Sequence, residues 1–453
     1  MHSCRSLTNT RNLRCLHEIR FAMKSRKPGW KDRQKRGSQR KVETQREWSL
    51  ECEIGALRVN LSGNTTKGMK TKQRVLSWDF QELQASLVHE LSYRKATFIL
   101  NRMLHREAGQ ELRYTTLKDW TESFGQSISR GYIQKAETIL EDKGFDKESG
   151  QICQDKVLAP ELANPNLPPT IDEKHARQLI ADYNRDKTTA NKIKYNDRVA
   201  RIESSAKHCC YISADDVGVK FQKESRSKKS KKNHRYLENT VIHIQTESTE
   251  YTLTAIGMDA AFKQLLAFLL ASHILENHRL IFMTDGATNI KDHIEKFFSF
   301  CQYTIILDWL HLEKKCNEYL SMALKGNKDD KAVIKKQLAE FLWIGHTQKA
   351  VRYISGISSR SIRRPDILKE LVGYLERKNQ MITCYALRKC LGLRNSSNRV
   401  EKENDLIVAS RQKHNGMSWS KTGSGALASI AVAMADDELS GWIEDGTIRY
   451  GAA

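Results

Sequence analysis

The residues best able to do chemistry in this chain are acids far apart in sequence, each at the edge of an apolar run. Asp215 and Asp216 lie within the β-like stretch Cys210 to Gln222, Asp285 follows the short apolar run RLIFMT, and Glu401 and Glu403 open the last helical pattern. An acid ending a buried strand is poorly explained by packing. In open sheets that contain parallel strands, sites form in the crevice beyond the strand ends. Carboxylates brought together there repel one another unless a cation joins them. Oxygen ligands select hard ions, Mg²⁺ or Mn²⁺. Two such ions about 3.5–4 Å apart suit in-line attack on a phosphodiester, serving both the attacking and the leaving oxygen. A single acid of this kind is often only a cap. Three that converge make a site.

Positioning them requires a particular order of elements. The segments CYISADDVGVKFQ, YLENTVIHIQT and EYTLTAIG read as three strands, followed by an amphipathic helix from Ala260 to Leu275. Arg279 to Thr284 is a buried-type strand, Ile290 to Phe300 a helix, and Tyr303 to Leu307 another buried strand. The order β-β-β-α-β-α-β predicts an α/β core of ribonuclease-H-like type, a mixed sheet covered by helices. Residues 312–394 read as helical throughout, and Val400 to Gln412 as a final helix that brings Glu401 back to the sheet.

Upstream, the pattern changes. Residues 1–77 read as a basic flexible arm; the first 75 carry 19 Lys/Arg against 6 Asp/Glu. Residues 78–158 read as a helical DNA-binding region. Within it, a helix through Leu117, Trp120 and Phe124, a break at Gly125, and a helix through Ile133 and Ile139 form a helix-turn-helix layout. Arg130, Gln134 and Lys135 would then face a major groove, although any three-helix bundle gives similar spacing. Four of the six prolines (Pro160, Pro165, Pro168, Pro169) mark a linker over 159–204, continued by a long polar helix from about Ile171 to Ile202. The remaining parts are residues 205–311 as the first part of the core, 312–394 as a helical insertion, and 395–453 as the last core helix and tail.

The 453 residues carry a formal charge of +21 with a mean hydropathy of -0.60. A surplus of that size has its commonest use in binding a polyanion, nucleic acid above all. Lys228, Lys229, Lys231 and Lys232 lie in a loop after the first core strand, and Arg411 and Lys413 follow Glu401; all are candidate phosphate contacts. Ten cysteines without a C-x-x-C pair indicate neither a zinc ribbon nor a disulfide framework, and reduced thiols in the cytoplasm are the simpler reading. No run is long and apolar enough to span a bilayer, so no membrane partner is expected.

The stretches YISADDVGVKFQK, RYLENTVIHIQ, RLIFMTDGATNIKDHIEKFF, YTIILDWLHLEKKC and GLRNSSNRVEKENDLIVASRQKHNGMSWSKTGSGAL resemble DDE transposases of bacterial insertion sequences, of the ISKra and ISLre type and distantly Mutator-like. The resemblance covers roughly residues 205 to 430, and more weakly 80 to 145. It implies Asp215, Asp285 and Glu401 as catalytic acids holding two Mg²⁺ or Mn²⁺ ions, with Asp216 and Glu403 as their alternates. Asp308 and His311 match an acid-x-x-His element with a supporting role, or simply cap the next helix; strand order favours Asp285 over Asp308 as second acid. It also implies an insertion domain, in which Trp343 either stacks on an extruded base or sits in the core.

The activity implied is DNA cleavage at element ends and joining of the 3′ ends to target DNA, by a homodimer or larger assembly on DNA in the cytoplasm at the nucleoid. The alternative is a catalytically inactive, basic DNA-binding protein derived from a transposase. A third class, a nuclease on the same core, would cleave without joining.

Overall fold

A computed structural model describes residues 46–52, 55–61, 78–105, 109, 111–222, 236–413 and 417–451, the first two segments by backbone alone. The chain divides into two units: Met1–Phe124 with Leu439–Thr447, and Gly125–Glu438 with Ile448–Ala453.

In the first unit, strands β1 (Arg46–Cys52) and β2 (Gly55–Leu61) pair antiparallel from Arg46↔Leu61 to Cys52↔Gly55. Part of the expected flexible arm is therefore a hairpin. Trp48, Leu50, Leu57, Val59 and Leu61 alternate with polar neighbours at strand period, a signal the count of charges hides. The rest of residues 1–77 lies outside the described residues. Helices Trp78–Glu90 and Tyr93–Met103 follow, the second capped by the Ser92 hydroxyl accepting from the Lys95 amide at 3.4 Å.

The helix-turn-helix expected across Gly125 does not form. Tyr114–Asp142 is one continuous helix of 29 residues. Gly125 serves a crossing instead of a turn, since a Cβ there would stand 2.2 Å from the Ala426 carbonyl oxygen. Absence of a side chain lets this helix and the Lys421–Ala435 helix (KTGSGALASIAVAMA) meet backbone to backbone.

The second unit is built on a five-stranded sheet. Strands β3 (Cys209–Lys220), β4 (Tyr236–Gln245), β5 (Glu250–Ile256), β6 (Arg279–Thr284) and β7 (Tyr303–Leu307) lie in the order β5-β4-β3-β6-β7. The first three pair antiparallel, while β3, β6 and β7 run parallel. This mixed sheet with its helices is consistent with a ribonuclease-H-like core. Leu280 to Thr284 are all buried, as a central parallel strand requires, which accounts for the unbroken apolar run. Helix Met258–Ala271 buries Phe262, Leu265, Leu266 and Phe268. Each such side chain contributes about 1.5–3 kcal/mol.

After β7 the chain is helical as expected, through Trp309–Ala323, Lys328–Trp343, Thr347–Ser355, Pro365–Arg377 and Tyr385–Cys390. The 159–204 segment departs from the expected linker with one long helix. Its main helix is only Glu173–Asn184, and Ile171, Ala176, Ile180, Ile193, Val199 and Ile202 are buried in one core with the insertion helices. Arg198 donates to the carbonyls of Gly345 (3.1 Å) and Ile382 (2.8 Å), and Glu203 pairs with Arg388 in the interior. This segment is part of the insertion's core rather than a spacer. No helix among the described residues is long and apolar enough to cross a membrane.

Candidate active site

Strand register brings the two aspartates together. On the parallel pair β3/β6, Ser213 lies opposite Met283, so Asp215 and Asp285 each stand two residues further along. Side chains alternate faces along a strand. The two acids therefore project from the same side of the sheet, Asp215 from within β3 and Asp285 from just past the end of β6. Burial pushes the Asp215 carboxyl up; the Asp216 amide opposes this, and the like charges of Asp285 and Asp216 add to it. The exposed Asp285 accepts from the Ala287 amide at 2.7 Å through Oδ1. The turn runs through Gly286 at φ +89, tight against Leu307. Asp216 points to the opposite face, where its Oδ1 accepts from the Thr240 hydroxyl at 2.5 Å.

The glutamate arrives on helix Asn398–Asn404, which passes through a π-helical turn (Asp405–Ala409) into Ser410–Gln412. Arg399 anchors this helix to the start of β5 through Glu250 at 3.0 Å. Asn404, three residues past Glu401 and so on the same face, donates from Nδ2 to Asp215 Oδ2 at 2.6 Å. Asn404 is 7% exposed, and its Oδ1 is buried without a partner. Glu403 turns elsewhere; burial and the charge of Glu250 raise its carboxyl.

Asp308 joins β7 to this helix. It is fully buried, with Oδ1 accepting from the His311 amide (2.8 Å) and Oδ2 from the Ser397 amide and hydroxyl (2.9 Å to the hydroxyl). Burial works to raise its carboxyl, but these donors outweigh burial and hold it below the ordinary value. It caps helix Trp309–Ala323 and at the same time fixes the approach to the glutamate helix. His311 stands between acids, with Nδ1 3.4 Å from Asp308 and Nε2 3.4 Å from Glu401. The Asp308 carboxylate, with Glu401 and Asp285 beyond it, raises the imidazole above its usual value against the opposing effect of burial.

The donor set bears on what cation fits. Carboxylate oxygens, with like charge destabilising the ionised Asp215, match a hard divalent ion in kind. Among the described residues, however, no three His, Cys, Asp or Glu side chains are grouped as a metal site. The aspartates form a pair, while Glu401 is 56% exposed and turned to His311.

The candidate DNA contacts divide. Arg130 and Gln134 are exposed one turn apart and Lys135 is half-buried, all on the continuous Tyr114–Asp142 helix rather than on a recognition helix. Lys228, Lys229, Lys231 and Lys232 lie outside the described residues. Lys413 is exposed. Arg411 is 2% exposed, with its guanidinium 4.9 Å from the Trp419 ring centre, so it packs inside rather than facing a phosphate. Trp343 packs on Trp309 (4.7 Å between ring centres) and Tyr385 (5.9 Å), at the edge of the insertion core.

Sequence reasoning missed Asn404, Ser397 and the Arg399–Glu250 pair. Only Asn404 carried a signal, its three-residue offset from Glu401.

Fold and site together define a mixed α/β protein with two aspartates in register on adjacent parallel strands, Asp215 within β3 and Asp285 just past the end of β6. No family model matches the chain, and no curated protein matches it. Among solved structures it is similar to a Drosophila P element transposase strand transfer complex, with a TM-score of 0.25 and 9% identity over 85% of each chain. That likeness is too slight to argue from.

Proposed function

We propose that this chain is a DDE-type transposase that cleaves DNA at element ends and joins the freed 3′ ends to target DNA. The observation supporting this most is the register-matched pair Asp215 and Asp285, faced by a helix carrying Glu401 and tied to Asp215 through Asn404. The reaction is two in-line displacements: a water oxygen attacks phosphorus and the 3′-oxygen leaves as a 3′-hydroxyl, then that 3′-hydroxyl attacks a target phosphodiester, forming a new P–O bond as the target strand's own 3′-oxygen leaves and takes up a proton. Asp215, Asp285 and Glu401 would hold the divalent ions, Mg²⁺ or Mn²⁺. Bound there, such ions supply Lewis-acid stabilisation of the charge that develops on the phosphoryl oxygens. The chain itself orients the acids: Asn404 fixes Asp215, while Asp308 caps the His311 helix and holds Ser397, setting His311 beside Glu401. DNA, as element end and as target, is the partner, engaged by a homodimer or larger assembly at the nucleoid.

The test is single-turnover nicking and joining in Mg²⁺ on duplexes carrying the sequence that flanks the gene. Wild type is expected to nick and join, and Asp215→Asn or Asp285→Asn to do neither while still binding the ends. Full activity in either variant removes that acid from the assignment. One observation favours a second reading, a basic DNA-binding protein without catalysis: Glu401 turns to His311 and not to the aspartates. Binding without metal-dependent nicking in wild type would establish it.

A further inference from the structure

Lys378 carries the helical insertion up to the residue after Asp285. Lys378 caps the C-terminus of helix Pro365–Arg377, its amide donating to the Tyr374 carbonyl at 3.0 Å. Its stem lies over Gly286, the residue after Asp285: a Cβ built on Gly286 would stand 3.4 Å from Lys378 Cε and 3.6 Å from Cδ. Gly286 thus leaves the space that this stem occupies. Lys378 is half-buried.

Its charged neighbours are mostly cations. Burial first, then the charges of Arg377 and Lys291, hold the Lys378 ammonium below its usual value, and Asp285 alone acts in the other direction. Lys291 is paired to Glu295 on its own helix at 3.1 Å. Among the described residues neither Lys378 nor Arg377 is in an ion pair. With Lys291 paired to Glu295, Lys378 and Arg377 carry positive charge that no ion pair among the described residues neutralises, and charge of that kind attracts an anion.

We infer that Lys378 binds a backbone phosphate of the DNA strand entering the Asp215–Asp285 crevice, with Arg377 and Lys291 flanking that phosphate. A phosphodiester is the anion that fits, because the Lys378 stem lies over Gly286, next to Asp285, where a scissile strand would run. The inference rests on the reading of that crevice as a DNA site. It assigns the insertion a direct share in gripping the substrate.

The experiment measures affinity for a short duplex by fluorescence anisotropy, in EDTA, across a range of salt concentrations. Each phosphate contact adds about 0.9 to the slope of log affinity against log salt. Lys378→Met keeps the stem over Gly286 and removes the charge; it should lower the slope by about one and weaken binding, and Lys378→Arg should restore both. An unchanged slope in Lys378→Met overturns the inference while leaving the catalytic reading intact. If Lys378→Met fails to fold, Lys378→Gln is measured in its place, with circular dichroism confirming its fold. Wild type that binds no duplex at all overturns both. Loss of slope with full nicking activity in Asp285→Asn would sink the catalytic reading and keep this one.

Discussion

Asn404 is where residue-scale chemistry is most exposed to test. Among the described residues its amide is the one neutral side chain that holds an aspartate of the pair, and the bond spans 189 residues of sequence. Removing a group that orients a ligating carboxylate typically costs 10–100-fold in metal affinity or activity. Asn404→Ala should therefore slow strand nicking by about that factor with little change in thermal midpoint; an unaltered rate would deny it this role. His311 offers a second handle. Its folded pKa is raised above 6.5 by Asp308. The stability this pairing gives is fully present below the unfolded value and is lost as pH rises through the folded one. In metal-free protein the midpoint difference between wild type and His311→Gln should be largest in mildly acidic buffer and shrink toward alkaline pH. A difference independent of pH would contradict the pairing. The acids were readable from the sequence because Asp215 sat in a strand-like stretch, Asp285 ended an apolar run and Glu401 opened the last helical pattern. Ser397 was not, and the offset of Asn404 from Glu401 gave only its helix face, because both roles depend on how a distant helix docks.

At the scale of elements, alternation and burial made the five core strands readable in order. Gly125 shows where local rules fail: a glycine among helix formers reads as a break, yet what fixes it is a neighbouring backbone 301 residues downstream. Gly→Ala inside a helix normally gains up to about 1 kcal/mol. Here the added methyl has nowhere to go, and overpacking costs about 1–3 kcal/mol or more. Gly125→Ala should lower the urea midpoint; a rise would restore the turn reading. The segment once expected to be a linker makes the same point through Glu203 and Arg388, 2% and 1% exposed. Breaking a buried pair from one side costs about 3–5 kcal/mol. Glu203→Ala should be destabilised by that much in chemical denaturation, and Glu203→Leu with Arg388→Met should recover most of it. Equal loss in both variants would mean the pair is not the tie between this segment and the insertion. The prolines suggested a linker, and composition said nothing of the isoleucines after them that fill the insertion core.

For the whole molecule, the claim is that acids separated by 70 and 116 residues act as one cation-binding unit that a large basic chain brings to DNA. Charge and strand order pointed to this from sequence; the turn of Glu401 toward His311 could not be read there, since it depends on the packing of the helical insertion over residues 312–394. The most direct measurement is Mn²⁺ binding to the purified chain, followed by electron paramagnetic resonance with and without duplex DNA. The account predicts bound Mn²⁺ in wild type, lost in Asp215→Asn and in Asp285→Asn and weakened in Glu401→Gln. Mn²⁺ held equally well by all four proteins, or by none of them in the presence of DNA, would contradict it.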